Sequence, residues 1–410
     1  MNFGLYDPAA VRLAGNAIIN GGISMQRYFG VFMSALVLGM WSFGAQAQNV
    51  IKIGAPFSLS GPFASFGQAG SAGVEMAVEE LNRRGGITIG NTKYTVQMIS
   101  EDTRSQVADT VSIMERLTRE QKVAAVFGPI VGVLSTPGQE VTQAAKTIHF
   151  GPAVQWNALM GRPDKKYLVH TQVDDDVRYS AFVPILVRET KIKSVALLGV
   201  NDATARAIMP KVIAMMQKEG VKVVAEEYFE RTTTDFSPFL TRMRAQKPDM
   251  LFFGYGDSFA VSILRQGVEL NVAPHYGTFT GTSLTVPMQQ ALGKPVDSFV
   301  GMVANENLLS PLHEDVIKWV AAYKAKYKKD PAGTTDWAFS MYDYVFIWAR
   351  AVEQAGTFTD SDKVIEKIRN STYKGVLNIR IDGRGQADHD FDMAIIRGGK
   401  MTWQHINAIK

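Results

Sequence analysis

A chain of 410 residues, 46% of them apolar, is long enough for two globular domains and can give each a core. Its 43 basic and 39 acidic residues nearly balance and lie spread along the chain, which excludes a nucleic-acid footprint. Cysteine is absent, so disulfides and thiolate metal sites are excluded; the chain suits a reducing compartment or an exported protein without staples.

Residues 1–47 read as a segment outside the fold. Met25-Gln26-Arg27 is a short positive start, Tyr28 to Phe43 is largely apolar, and Ala45-Gln46-Ala47 is a small-x-small cleavage site. Together they have the form of a secretory signal peptide. A membrane anchor is the alternative, but the apolar run is short for crossing a bilayer. Residues 1–24 stand upstream of a complete signal, so Met25 is the expected true start, and the mature chain is expected to begin near Gln48 in the periplasm.

From Val50 the pattern alternates strand and helix. Val50 to Phe57 is a β-branched run that predicts a strand, and Ser58-Leu59-Ser60-Gly61-Pro62 breaks it. Ala69, Gly73, Ala77 and Leu81 then recur every fourth residue, a stripe of small residues on a helix closed by Gly85-Gly86. This places a polar, glycine-containing turn at the mouth of a helix, where free N–H groups can hold an anion. Further strands are predicted over Tyr94 to Ser100, Val123 to Phe127 and Thr147 to Phe150, with helices over Val107 to Arg119 and Thr136 to Ala145.

After about Thr171 the pattern restarts. Strands are predicted at Ser194 to Val200, Val221 to Phe229, Asp249 to Gly254, His275 to Thr278 and Val300 to Asn305. Helices are predicted at Ala205 to Glu219, Phe236 to Ala245 and Phe259 to Gly267. Two amphipathic helices follow, one lined by Val316, Val320, Tyr323 and Tyr327, the other by Trp337, Met341, Tyr344, Val345, Trp348 and Val352. Val376 to Ile381 and Phe391 to Ile396 read as closing strands. Repeated βα units predict an α/β fold with parallel sheets covered by helices on both faces.

Catalytic chemistry finds no constellation. The six histidines show no metal-ligand spacing, and no GxxxxGK[ST] or GxSxG pattern exists. Gly254-Tyr255-Gly256 starts like a dinucleotide fingerprint, but Phe259 stands where its third glycine belongs. Asp174-Asp175-Asp176 could bind a cation, and a solvated loop is the preferred reading. No cofactor or metal is expected. What remains is a set of strand-end turns: Ser58 to Gly67, Pro129 to Ser135, Gly151 to Trp156, Asn201 to Arg206, and Tyr255 to Ser258 with Phe279-Thr280. In open parallel sheets, ligands sit beyond such strand ends.

The segment Ile53 to Ile87, with Ser60-Gly61-Pro62, Phe66-Gly67, Gly73, Ala77, Asn82 and Gly85-Gly86-Ile87, resembles the periplasmic leucine/isoleucine/valine-type binding proteins of ABC transporters. The likeness runs from about Val50 to the C-terminus. It implies the type I periplasmic binding protein fold, with two Rossmann-like lobes joined by a three-segment hinge. One lobe is expected to comprise 48–171 and 303–379, the other 172–302 and 380–410, with crossings near Thr171, Val303 and Ile379.

The resemblance also implies a monomeric protein, not an enzyme, that captures a small organic ligand and delivers it to an ABC permease. An amide- or amino-acid-sensing role through a partner is the alternative. It implies ligand contacts from Ser60 and Phe66 in the first turn, the latter covering the ligand. Gly132 stands where amino-acid-binding members place a serine, so the hydroxyl is lost while backbone N–H groups of Gly132 and Val133 remain. Ala153 keeps a carbonyl for an α-ammonium, but Gln155 replaces the usual threonine. In the second lobe Asn201, Tyr255, Phe279 and Thr280 occupy the site positions, Ala205 replaces a tyrosine, and the acidic ammonium partner is missing. Asp202 or Asp257 could still receive an ammonium, and Trp156 could line the pocket. The ligand expected from this set carries a carboxylate and an apolar or aromatic body, without an α-ammonium.

The signal pattern sets a first expectation. Mass spectrometry of periplasmic protein should find an N-terminus at or near Gln48. Recovery of an intact chain starting at residue 1 would overturn both the cleavage and the late start.

Overall fold

The run Val50–Phe57 forms strand β1, buried on both faces from Ile53 onward, as its nearly unbroken apolar reading requires. A computed structural model describes residues 49–152, 162–254, 257–278, 298–304, 314–328, 336–397 and 400–406, so the expected leader lies outside the described residues. After β1 come helix α1 (Ala64–Arg83), strands β2 (Ile87–Ile89) and β3 (Thr92–Asp102), helix α2 (Val107–Glu115), β4 (Ala125–Phe127), α3 (Gly132–Ala144), β5 (Ile148–Phe150) and β6 (Leu168–Val169). The helix expected to reach Arg119 changes at Glu115 into a π-helical turn, Arg116–Glu120. The strands form one sheet in the order β2-β3-β1-β4-β5-β6, parallel except for the β2–β3 hairpin. Helical crossovers between successive strands make parallel pairing possible.

Helix α4 (Asp175–Thr190) leads into a second βα series: β7 (Ser194–Val200), α5 (Ala203–Lys218), β8 (Lys222–Phe229), α6 (Ser237–Ala245), β9 (Met250–Gly254), α7 (Asp257–Glu269), β10 (His275–Thr278) and β11 (Ser298–Ala304). Helices α8 (Glu314–Tyr327), α9 (Asp336–Ala355) and α10 (Ser361–Ile368) follow. Strands β12 (Ser371–Lys374), β13 (Asn378–Ile381) and β14 (Ala387–His389) make a small antiparallel sheet, and β15 (Phe391–Arg397) and β16 (Lys400–Ile406) close the second large one. Its order is β16-β15-β11-β10-β9-β7-β8, antiparallel only at β15 and β16. The architecture is therefore two α/β lobes. The chain changes lobe after Val169, after Ala304 and at Asp390. The resemblance placed the last passage near Ile379, but Ile379, Ile381 and Ala387 are buried in the first core, and the strand joining the second sheet begins at Phe391.

The solvated-loop reading of Asp174-Asp175-Asp176 is corrected. The run opens α4: Asp174 is its N-cap, its side chain accepting the Asp176 N–H at 2.8 Å, and Asp176 pairs with Lys211 at 2.8 Å. Acidic residues complement the donors and the dipole of a helix start.

The first core lies between the sheet and helices α1, α8, α9 and α10. Phe127 and Phe150 stack at 4.8 Å, with Trp348 edge-on to Phe127 at 6.1 Å. Small residues bring α1 and α9 into backbone contact. A Cβ on Gly73 would stand 2.1 Å from the Ala338 carbonyl oxygen. Substituting Gly73 with Ala must push two helices apart, so a loss of about 1–3 kcal/mol is expected. Urea denaturation would measure it, and an unchanged midpoint would contradict this packing.

Helix α9 also buries a carboxyl. Asp343 is fully buried, and its oxygens accept the Val376 and Leu377 N–H groups at 3.1 and 2.7 Å, fixing the β12–β13 turn. Burial outweighs these hydrogen bonds and pushes its pKa up to about 7, from an ordinary value of 3.8. Between these values the folded chain holds a proton that the unfolded chain has released, so this group's contribution to stability falls as pH rises from about 4 to about 7. Buried His149 and His389, whose pKa values burial lowers, act in the opposite direction. The readout is therefore a difference: Asp343→Asn should gain stability relative to wild type across that window. A constant gap in chemical-denaturation midpoints would refute the assignment.

Candidate functional site

Parallel register sends the C-terminal ends of β1, β3, β4, β5 and β6 to one edge of the first sheet. The same holds for β7, β8, β9, β10 and β11 in the second. These edges carry the strand-end turns and the starts of the helices that follow.

The turn after β1 is fixed by Asp102 at the end of β3. Its carboxylate accepts the Leu59 N–H at 2.8 Å, the Ser60 N–H at 3.2 Å, the Ser60 hydroxyl at 2.6 Å and the Arg104 N–H at 2.8 Å. Burial works against this charge, but the hydrogen bonds from Ser60, Arg104 and Leu59 outweigh it and hold the carboxyl below its ordinary value. Gly61, at φ +81°, passes so close to Ser105 that a Cβ would meet its Oγ at 2.7 Å. Phe66 lies in the first turn of α1, half-buried against the first core.

The turn after β4 runs straight into α3. The helix begins at Gly132, earlier than the expected Thr136, so Gly132 and Val133 are its first two residues. Their N–H groups precede the first intrahelical hydrogen bonds. The N-cap is Val131, in extended backbone and without a side-chain acceptor, and Val133 is exposed. This is an uncapped helix start with positive potential, able to accept a carboxylate or another oxygen acceptor.

In the second lobe Asn201 follows β7. Its amide donates to Glu230 at 2.6 Å and accepts from Arg206 Nε and Nη2 at 3.0 and 2.9 Å. The Arg206 guanidinium lies over the Tyr228 ring at 3.6 Å. Asp202 caps α5 by accepting the Ala205 N–H at 2.8 Å, and its other oxygen pairs with Arg231. Ala205 is buried.

The structure thus brings Ser60, Gly132 and Val133 to one edge of the first sheet and Asn201 to the corresponding edge of the second. Ala153, Gln155, Tyr255, Phe279 and Thr280, like Trp156, lie outside the described residues. Sequence reasoning missed Asp102 and did not single out Arg206. An acid ending an alternating strand run was the available signal for the first; an arginine in the first turn of a helix after a strand was that for the second. Among the described residues no three His, Asp or Glu side chains gather as a metal ion would require.

Comparison with known proteins sets this geometry in a family. The sequence matches the family model described as periplasmic binding protein over residues 50–400. It is similar to the leucine-, isoleucine-, valine-, threonine- and alanine-binding protein of Pseudomonas aeruginosa, with 22% identity over 377 residues covering 90% of this chain and 95% of that protein. The fold is similar to that of the branched-chain amino acid transporter substrate-binding protein of Streptococcus pneumoniae in complex with isoleucine, at TM-score 0.71 and 21% identity, covering 88% of this chain and 100% of that one. It is similar as well to an ABC-transporter solute-binding protein of R. palustris in complex with 4-hydroxybenzoate, at TM-score 0.72 and 19% identity, covering 88% of this chain and 96% of that one. A two-lobed α/β architecture with its turns gathered at the strand ends, matched to the family model over nearly the whole described chain, means that this chain belongs to the periplasmic binding protein family.

Proposed function

We propose that the chain captures a small organic carboxylate without an α-ammonium group between its lobes and delivers it to an ABC permease, working in the periplasm as a monomer that performs no turnover. The relatives support the general role: they bind small ligands for transport, amino acids in some and an aromatic acid in another. The ligand bridges both lobes and shifts the population toward the closed form, the chain bending where it passes between them.

The observation that carries the choice of ligand is the uncapped start of α3, whose Gly132 and Val133 N–H groups precede the intrahelical hydrogen bonds. The other side of the argument is that, among the described residues, the acid and amide of the second-lobe turn are already engaged. Asp202 already receives the Ala205 N–H and the Arg231 guanidinium, and Asn201 is held by Arg206. An ammonium buried without acceptors costs several kcal/mol, on the order of 3–5. A branched-chain amino acid is the second reading, favoured by the isoleucine-bound neighbour and the Pseudomonas aeruginosa relative.

Calorimetry separates the two. Benzoate, 4-hydroxybenzoate and alkyl carboxylates should bind, with leucine, isoleucine and valine at least tenfold weaker, a gap of about 1.4 kcal/mol. Gly132→Pro supplies the structural control. Proline suits the first helical position, and Val131, at φ −102° and ψ 120°, already has the backbone that precedes proline. The variant keeps α3 but deletes one donor, so carboxylate affinity should fall about tenfold. Submicromolar binding of leucine, isoleucine or valine would overturn the ligand assignment.

A further inference from the structure

Beneath the turns after β4 and β5 lie polar side chains that no ligand contact explains. Gln139 on α3 and His149 on β5 are both fully buried. Gln139 Nε2 donates to the Pro152 carbonyl at 2.9 Å and reaches the Ser135 hydroxyl at 3.3 Å. His149 Nε2 lies 2.9 Å from the Gly128 carbonyl, so that nitrogen carries the proton, and Nδ1 accepts from the Thr142 hydroxyl at 3.2 Å. Burial lowers the His149 pKa to about 4, which keeps the ring neutral. The turn after β5 lies directly on this pair: a Cβ on Gly151 would stand 2.6 Å from Ser135 Oγ and 2.8 Å from His149 Nε2.

We propose that Gln139 and His149 form a buried brace that locks the ligand-facing turns 128–133 and 151–152 into one unit, and that both set ligand affinity as positioning residues without touching the ligand. The brace rests on the ligand site proposed above. Two features favour this role over packing alone. The Gln139 Oε1 is buried with no hydrogen-bond partner, so an amide here is a poor filler, and its Nε2 bond to Pro152 is what it contributes. The four partners also divide by purpose: Gly128 and Pro152 belong to the two turns, while Ser135 and Thr142 belong to the helix whose first N–H groups face the ligand. A shift in either turn is thereby transmitted to the other through a hydrogen-bonded, close-packed contact.

The test uses the unliganded full chain and hydrogen–deuterium exchange. His149→Phe removes the donor to Gly128, Gln139→Met keeps volume but removes the amide, and His149→Gln retains a donor near Nε2. Peptides covering 128–135 should exchange at least tenfold faster in His149→Phe. In Gln139→Met those covering 148–152 should do so as well. Peptides of 194–229 should be unchanged, and His149→Gln should restore protection. Unchanged exchange over 128–135, or a uniform rise along the chain, would overturn the brace; if His149→Phe does not fold, Gln139→Met decides. Calorimetry with benzoate, 4-hydroxybenzoate, leucine and isoleucine then reads affinity. Wild-type protein that binds none of them counts against the ligand site while exchange still decides the brace. Where wild type binds, the two disrupting variants should bind at least tenfold more weakly, and equal affinity would refute the positioning role.

Discussion

Parallel pairing of β1 with both β3 and β4 is the constraint on which the rest of the structure depends. It requires crossover connections and brings the C-terminal ends of the parallel strands to the same edge. Helix starts therefore gather there, each with N–H groups that lack intrahelical partners. The second lobe repeats the arrangement around β7 and β9. A site able to bind an anion follows from the topology before any particular side chain is considered.

The chain meets several of its free backbone donors with its own acids. Asp102 takes the amides of the first turn, Asp174 caps α4, Asp202 caps α5, and Asp249 receives the Lys193 and Ser194 N–H groups. Each carboxylate used in this way is withdrawn from any role as a receptor for a cation. Helix α3, opened by Val131, follows the other course. In the described second-lobe turn the Asp202 carboxylate pairs with Arg231 and Glu230 accepts from the Asn201 amide.

Two of the three passages between the lobes run side by side. His170 lies opposite Gln386, its N–H donating to the Gly385 carbonyl at 2.8 Å and its carbonyl accepting the Ala387 N–H at 2.9 Å; Gln386 Nε2 donates to the Gln172 carbonyl at 2.6 Å, and the Asp174 N–H donates to Asp388 at 3.1 Å. The Tyr344 hydroxyl of α9 adds a bond to the Thr171 carbonyl at 3.2 Å. Polar contacts of this kind can reorient within their angular tolerance, whereas the packed faces on either side resist deformation. The closure proposed above would therefore bend the chain at these connections rather than within either core.

Local chemistry was legible in the sequence. The apolar runs of β1, β7 and β9, the small-residue stripe of α1, and the glycine stops at Gly85, Gly86, Gly220 and Gly356, all at positive φ, depend on residues a few positions apart. The α/β class and the edge that carries the site followed from their order. The hairpin strand β2, the edge strand β16 and the strands β12 and β14 flanking β13 were not legible, because short antiparallel pairs carry little periodicity and are stabilised by their partners. Nor was the fate of the polar groups. Ser60 meets Asp102, Asp343 meets Leu377, and Gln139 meets Pro152 only once the chain has folded back on itself. The sequence by itself determined which segments become strands and helices and where their donors point. Only the tertiary structure decided which acids meet those donors and which helix starts stay uncapped, because that depends on contacts between residues far apart along the chain.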